Sequence, residues 1–153
     1  MENNLKAKIE DACRSAMKNR EELLLSVLRL LLTAIHNREI EKRAKSGAGE
    51  MTDEEVMAVI RGEAKKRKDA IGEYTRGGRA AAAEKESAEL VILEKYLPSE
   101  ISDEEIEKLL LPLAKGASVS DFGRIMSAAM KAVAGRASGD RVSATVKRML
   151  TER

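Results

Sequence analysis

What the 153-residue chain has little of narrows it first. It has no tryptophan, one phenylalanine and two tyrosines, too few aromatic faces for the base-stacking platforms of an RRM or OB-type reader. With only two prolines and much Ala, Leu, Glu, Lys and Arg, the composition is that of a helical protein rather than a sheet. A single cysteine, Cys13, excludes an internal disulfide and a thiolate cluster for zinc. It reads as a small buried residue on an amphipathic helix. No apolar run approaches the roughly 20 residues that span a bilayer. The start MENNLKAKIE lacks the apolar core of a signal peptide, so the cytoplasm is the expected compartment.

Chemistry-bearing patterns are equally scarce. There is no phosphate loop of Walker type, no HExxH, and no Ser/His/Asp set at a recommending spacing. No catalytic residue, metal ligand or cofactor is expected. The one histidine, His36, lies in the most apolar helical stretch beside Asn37 and Arg38 and is expected to be hydrogen-bonded or solvent-facing rather than a general base. The carboxylates cluster as EE and DEE runs at helix starts, where capping and the helix dipole favour negative charge.

What the chain does have is helical periodicity and local basic surpluses. The formal charge is +2, yet residues 118–153 and residues 61–79 each carry seven Lys/Arg against three Asp/Glu. Leu5, Ile9, Cys13 and Met17 recur at steps of four and predict a first helix. Leu24, Val27, Leu28, Leu31 and Ile35 make the stripe of a second. Leu23, Leu25, Leu30 and Leu32 widen it until most of the circumference is expected to be buried. Thr52 and Glu55 form a capping box for a third helix through Val56, Ile60, Ala64, Arg67, Ile71 and Tyr74, ended by Gly77 and Gly78. Arg67, within the run Lys65–Lys68, is expected to snorkel from the edge of this stripe. A fourth helix follows from Arg79 and stops before Pro98.

Leu97 to Ile101 reads as a short connector between an N-terminal four-helix part, residues 1–97, and a smaller C-terminal three-helix domain, residues 98–153. Ser102 and Glu105 cap the fifth helix, which Pro112 is expected to end or kink. Phe122, Ile125, Met126, Ala129, Met130 and Val133 define a sixth, capped by Ser118 or Ser120. Val142, Val146, Met149 and Leu150 define the seventh. The fold class is therefore all-α, with about seven helices. Between the last two stands GRASGDRV, residues 135–142. There Gly135 supplies a left-handed residue, and Ser138 or Asp140 caps the next helix. The amides at that helix start, Gly139 included, with Arg136 and Arg141 beside them, form a candidate phosphate receptor. Arg124, Lys131, Lys147 and Arg148 extend the candidate nucleic-acid-binding surface.

The stretches LRLLLTAIHNREIEK (28–42), RKDAIGEY (67–74), EKESAELVILEKYLP (84–98) and FGRIMSAAMKAVAGRASGDRV (122–142), in this order, resemble the YqeY or GatB/YqeY domain family. The resemblance covers nearly the whole chain and implies an all-helical protein with a larger N-terminal and a smaller C-terminal domain. It extends to the C-terminal portion of the B subunit of glutamine-dependent tRNA amidotransferase, whose tail contacts tRNA. The carbon–nitrogen ligase activity, with glutamine as amido donor, belongs there to a separate catalytic part that has no counterpart in this chain. Ser138 stands where the family's corner, GRADG, has its acidic residue, which keeps a helix cap and removes a carboxylate.

The leading expectation is a non-catalytic RNA-binding module for tRNA or an aminoacyl-tRNA complex, with neither DNA nor membrane as partner. The alternative is a protein-interaction adaptor that docks on a tRNA synthetase or amidotransferase subunit through an apolar face.

Overall fold

The computed structural model describes residues 4–152, and among them there are seven α-helices and no strand. They are α1 (Leu5–Lys18), α2 (Glu22–Ser46), α3 (Asp53–Arg76), α4 (Ala80–Glu94), α5 (Asp103–Ala114), α6 (Phe122–Val133) and α7 (Gly139–Thr151), with a 3-10 turn at Val119–Asp121 before α6. The chain divides after Leu97 into two compact units.

In the first unit α3 and α4 form an antiparallel pair on which α2 packs, and α1 closes over α2 and α3. Ile9, Leu28, Leu31, Ile35, Ile60 and Leu93 are wholly buried where these helices meet. The third helix starts as its sequence requires. The Thr52 hydroxyl accepts from the Glu55 amide, and the Glu55 carboxylate accepts from the Thr52 amide. Two expectations fail here. Met17 is 53% exposed and the buried position in its turn is Ala16, because at 3.6 residues per turn each step of four drifts by about 40°, so Met17 lies about 120° round the helix from Leu5. In α2, Leu23 is 40% and Leu30 54% exposed. α1, α3 and α4 cover only the side holding Val27, Leu28, Leu31 and Ile35, and no further helix of the unit reaches the other.

The second unit is a three-helix cluster. Ile106 and Leu110 of α5, Ile125, Ala129 and Val133 of α6, and Val142, Val146 and Leu150 of α7 share one aliphatic core. Phe122, Met126, Met130 and Met149 pack half-buried against it. Ser102 and Glu105 make the capping box of α5. Pro112 neither ends nor interrupts that helix, which runs on to Ala114. Proline removes one amide donor, and with only Leu113 and Ala114 of the helix left beyond it little hydrogen bonding is forfeited. Ser118 serves the 3-10 turn rather than α6 directly, its amide donating to the Asp121 carboxylate at 2.9 Å. This contact, first, and Arg124 beside it hold the Asp121 carboxyl below its ordinary range.

Candidate nucleic-acid interface

The corner between α6 and α7 is built from its backbone outward. α6 ends at Val133, and two consecutive residues, Ala134 (φ 48) and Gly135 (φ 82), take the left-handed conformation that turns the chain. Glycine does so without strain, whereas alanine bears a Cβ penalty there. The Ser138 side chain then caps α7, its Oγ accepting from the Arg141 amide at 3.4 Å. Asp140 sits in the first turn without serving as the cap. Gly139 opens the helix, and a Cβ built on it would meet nothing within 4 Å.

The two corner arginines turn away from this helix start. Arg136 folds back on α6, donating from Nε to the Val133 carbonyl at 3.0 Å and from Nη2 to that of Ala132 at 3.4 Å. Arg141 reaches the start of α5. Its Nη2 donates to the Ile101 carbonyl at 2.7 Å and to Asp103 Oδ1 at 2.8 Å, and Glu100 lies 3.6 Å from Nη1. The Ile101 amide donates to the Arg136 carbonyl at 3.0 Å. Both backbone groups of Ile101 are thus satisfied by the corner. GRASGDRV closes the end of the unit by holding the segment that leads into α5, which accounts for its two arginines without a ligand.

The remaining candidates fall into two groups. Arg124 and Lys131, seven residues apart, share one face of α6, both exposed. The Lys147 ammonium stands 5.8 Å over the Phe122 ring, which places it at the end of α6 that bears Arg124. Arg124 lies 3.5 Å from Asp121, and Lys131 makes no ion pair among the described residues. Arg148, one helical repeat after Arg141, faces α5 instead and pairs with Glu107 at 3.4 Å. The α6 side therefore keeps open positive charge, while the α5 side is neutralised by Asp103 and Glu107.

In the first unit the structure reveals a cluster that sequence reading missed. Arg67 does not snorkel. Its Nη1 pairs with Glu63 at 3.2 Å and its Nε lies 3.7 Å from Glu89, with all three side chains between 11% and 15% exposed. Arg67 Nε is buried without a hydrogen bond. The i, i+4 spacing of Glu63 and Arg67 was a readable signal for half of this, but Glu89 comes from α4 and only packing brings it there. His36 faces solvent, 68% exposed and 3.7 Å from Glu39. Cys13 is half-buried and in no disulfide. Among the described residues no three His, Cys, Asp or Glu side chains gather as metal ligands, and no helix is long and apolar enough to cross a membrane.

The family model for Yqey-like protein matches residues 6–150, so this chain belongs to the YqeY family. It is also similar to the uncharacterized protein C22F3.15 of Schizosaccharomyces pombe (strain 972 / ATCC 24843), with 34% identity over 100 residues that make up 65% of this chain and 77% of the relative.

Proposed function

We propose that the protein is a non-catalytic RNA-binding module of the cytoplasm whose partner is tRNA or an aminoacyl-tRNA complex. The observation that carries this reading is the open positive face of the second unit, where Arg124, Lys131 and Lys147 stand exposed on the α6 side. Phosphate contacts from such residues supply affinity that falls with salt. Arg136, Ser138 and Arg141 form the supporting layer: they shape the corner and hold the start of α5, and RNA reaches Arg141 only by displacing Asp103. That exchange is affordable, because Asp103 is 69% exposed and exposed pairs contribute at most about 1 kcal/mol. Family membership supports the reading through the tail of the amidotransferase B subunit, which the second unit resembles.

The test is tRNA binding by fluorescence anisotropy at low salt. Changing Arg124, Lys131 and Lys147 together to Glu is expected to weaken binding at least tenfold, or about 1.4 kcal/mol, with circular dichroism unchanged. Unchanged binding would remove this face. The pair Arg136→Glu and Arg141→Glu is a poorer probe, since it also releases the segment around Ile101.

A second reading, an adaptor for a synthetase or amidotransferase subunit, is favoured by one feature. Leu111, Pro112, Ala114 and Met149 line a shallow apolar groove beside Lys115 and Gly116 at the end of α5, with Leu111 56% exposed. A protein partner captured equally with and without ribonuclease, by a chain that binds no tRNA, would establish the adaptor in place of the RNA module.

A further inference from the structure

We propose that the exposed face of α3 in the first unit is a track for the phosphodiester backbone of RNA. The inference rests on the reading that the partner is RNA, and it adds a contact surface in the first unit to the one proposed in the second. Arg61, Lys65, Lys68 and Arg76 follow one another at steps of four, three and eight residues, and Gly72 occupies the step between the last two. At 3.6 residues per turn these positions fall within one side of the helix, in a row about 22 Å long.

From Lys65 onward the row keeps its charge. Lys65 and Arg76 are exposed and make no ion pair among the described residues, and Lys68 reaches only 4.0 Å from Glu94. Glu63, two residues from Arg61 and from Lys65, lies on the other side of α3 and pairs there with Lys66 and the half-buried Arg67. Asp69 and Glu73 border the row, four residues after Lys65 and three before Arg76, and neither makes an ion pair among the described residues.

The helix gives up stability to keep this face. Like charges three and four residues apart repel, and glycine inside a helix is worse than alanine. Yet a Cβ at Gly62 would meet nothing within 4 Å, so no packing inside the chain asks for glycine there. At Gly72 the nearest atom to such a Cβ is Arg76 Nη1, at 3.4 Å. The missing side chain lets that guanidinium lie back along the row. Departures from local preference with no internal return are expected where a surface serves something outside the chain. The large exposed apolar residues are Met17, Leu23, Leu30, Ile40, Val91, Leu111 and Val119, none of them on α3. The face has nothing to insert into a bilayer, which favours RNA over an anionic membrane.

The experiment uses the full chain with Lys65, Lys68 and Arg76 all changed to Gln, and a control of equal charge loss with exposed Lys8, Lys18 and Lys45 changed to Gln. Dissociation constants for tRNA are measured by anisotropy across a salt series, with circular dichroism to confirm folding. The track predicts at least a tenfold rise in Kd for the α3 variant, a salt slope shallower by roughly two to three units, and less than a threefold change for the control. Wild-type binding that survives the α3 changes overturns the track and leaves the RNA reading standing. Equal losses in both variants overturn it too, since net charge alone would then explain them. A wild-type chain that binds no tRNA overturns the RNA reading itself. Loss confined to anionic vesicles, with tRNA binding unchanged, makes the face a membrane contact and overturns the proposal.

Discussion

In the first unit, α3 and α4 close over a guanidinium held between two carboxylates. In the second, α5, α6 and α7 close over aliphatic side chains and leave their ions at the rim. Among the described residues the only buried polar one of the second unit is Thr145, whose hydroxyl donates to the Arg141 carbonyl one turn back at 3.0 Å. The difference teaches where periodicity can be trusted. An aliphatic core reports itself as a stripe, and the Phe122 to Val133 stripe lies on the core as its spacing requires. A core containing Glu63, Arg67 and Glu89 does not, because charged residues read as surface until a second helix is placed against them.

Removing one member of the buried cluster would break this comparison most visibly. Arg67→Met leaves Glu63 and Glu89 facing each other without their cation, and is expected to destabilise the protein by about 4 kcal/mol, read as a lower urea midpoint. Replacing Arg67, Glu63 and Glu89 together by Met, Leu and Leu is expected to recover most of that loss, because packed apolar groups of similar volume avoid the desolvation cost. A mild effect of Arg67→Met alone would mean that the cluster is well hydrated, and the contrast between the units would weaken.

The matching change in the second unit is Ile125→Ala. It removes a wholly interior side chain, 1% exposed, and is expected to cost about 3 kcal/mol from lost burial and the cavity left behind. If the units unfold separately, as the division after Leu97 suggests, this variant lowers one thermal transition and Arg67→Met lowers another. A single transition shifted by both would show that the units fold as one.

Asp103→Asn sharpens the account of the corner. It removes the charge that holds Arg141, and because the pair is solvent-exposed the expected loss is only about 1 kcal/mol. If RNA competes with Asp103 for Arg141, the same change strengthens tRNA binding measured at low salt. A loss of affinity instead would make the Asp103 contact a support for binding.

The smallest expected effects lie on the acid side, one in each unit. The Lys42 ammonium first, then the Thr52 amide, lower the pKa of Glu55 from its ordinary 4.5. The Ser118 amide first, then Arg124, lower that of Asp121 from 3.8. A lowered folded-state pKa gives stability that is present above the ordinary value and lost as pH falls through the folded one. The Glu55 contribution therefore fades below its ordinary 4.5 and that of Asp121 below its ordinary 3.8, and Glu55→Gln and Asp121→Asn are each expected to flatten the acid limb of a stability–pH profile slightly.

Much of the fold was legible. The capping boxes at Thr52 and Ser102, the end of α6 at Val133 and the cap at Ser138 are local devices, set by residues three or four apart. The basic surpluses in residues 61–79 and 118–153 were legible as well, because composition alone makes them. What composition does not say is which charges remain open. Arg136 and Arg141 looked like a pair converging on a helix start. They are drawn apart by carbonyls of α6 and by Asp103, which lies 38 residues from Arg141 in the chain. Leu23 and Leu30 looked buried because an apolar residue in an apolar helix has no local reason to face water.

The sequence by itself determined the helical class, the capped helix starts at Thr52, Ser102 and Ser138 and the core stripe of α6, since these follow from hydrogen-bonding and periodic rules acting within a turn or two. Only the tertiary structure decided which side of α2 is covered, that Arg67 meets Glu89, and which cations stay free. Each of these depends on a partner from another helix, and burial and charge pairing are properties of that meeting rather than of either strand of sequence alone.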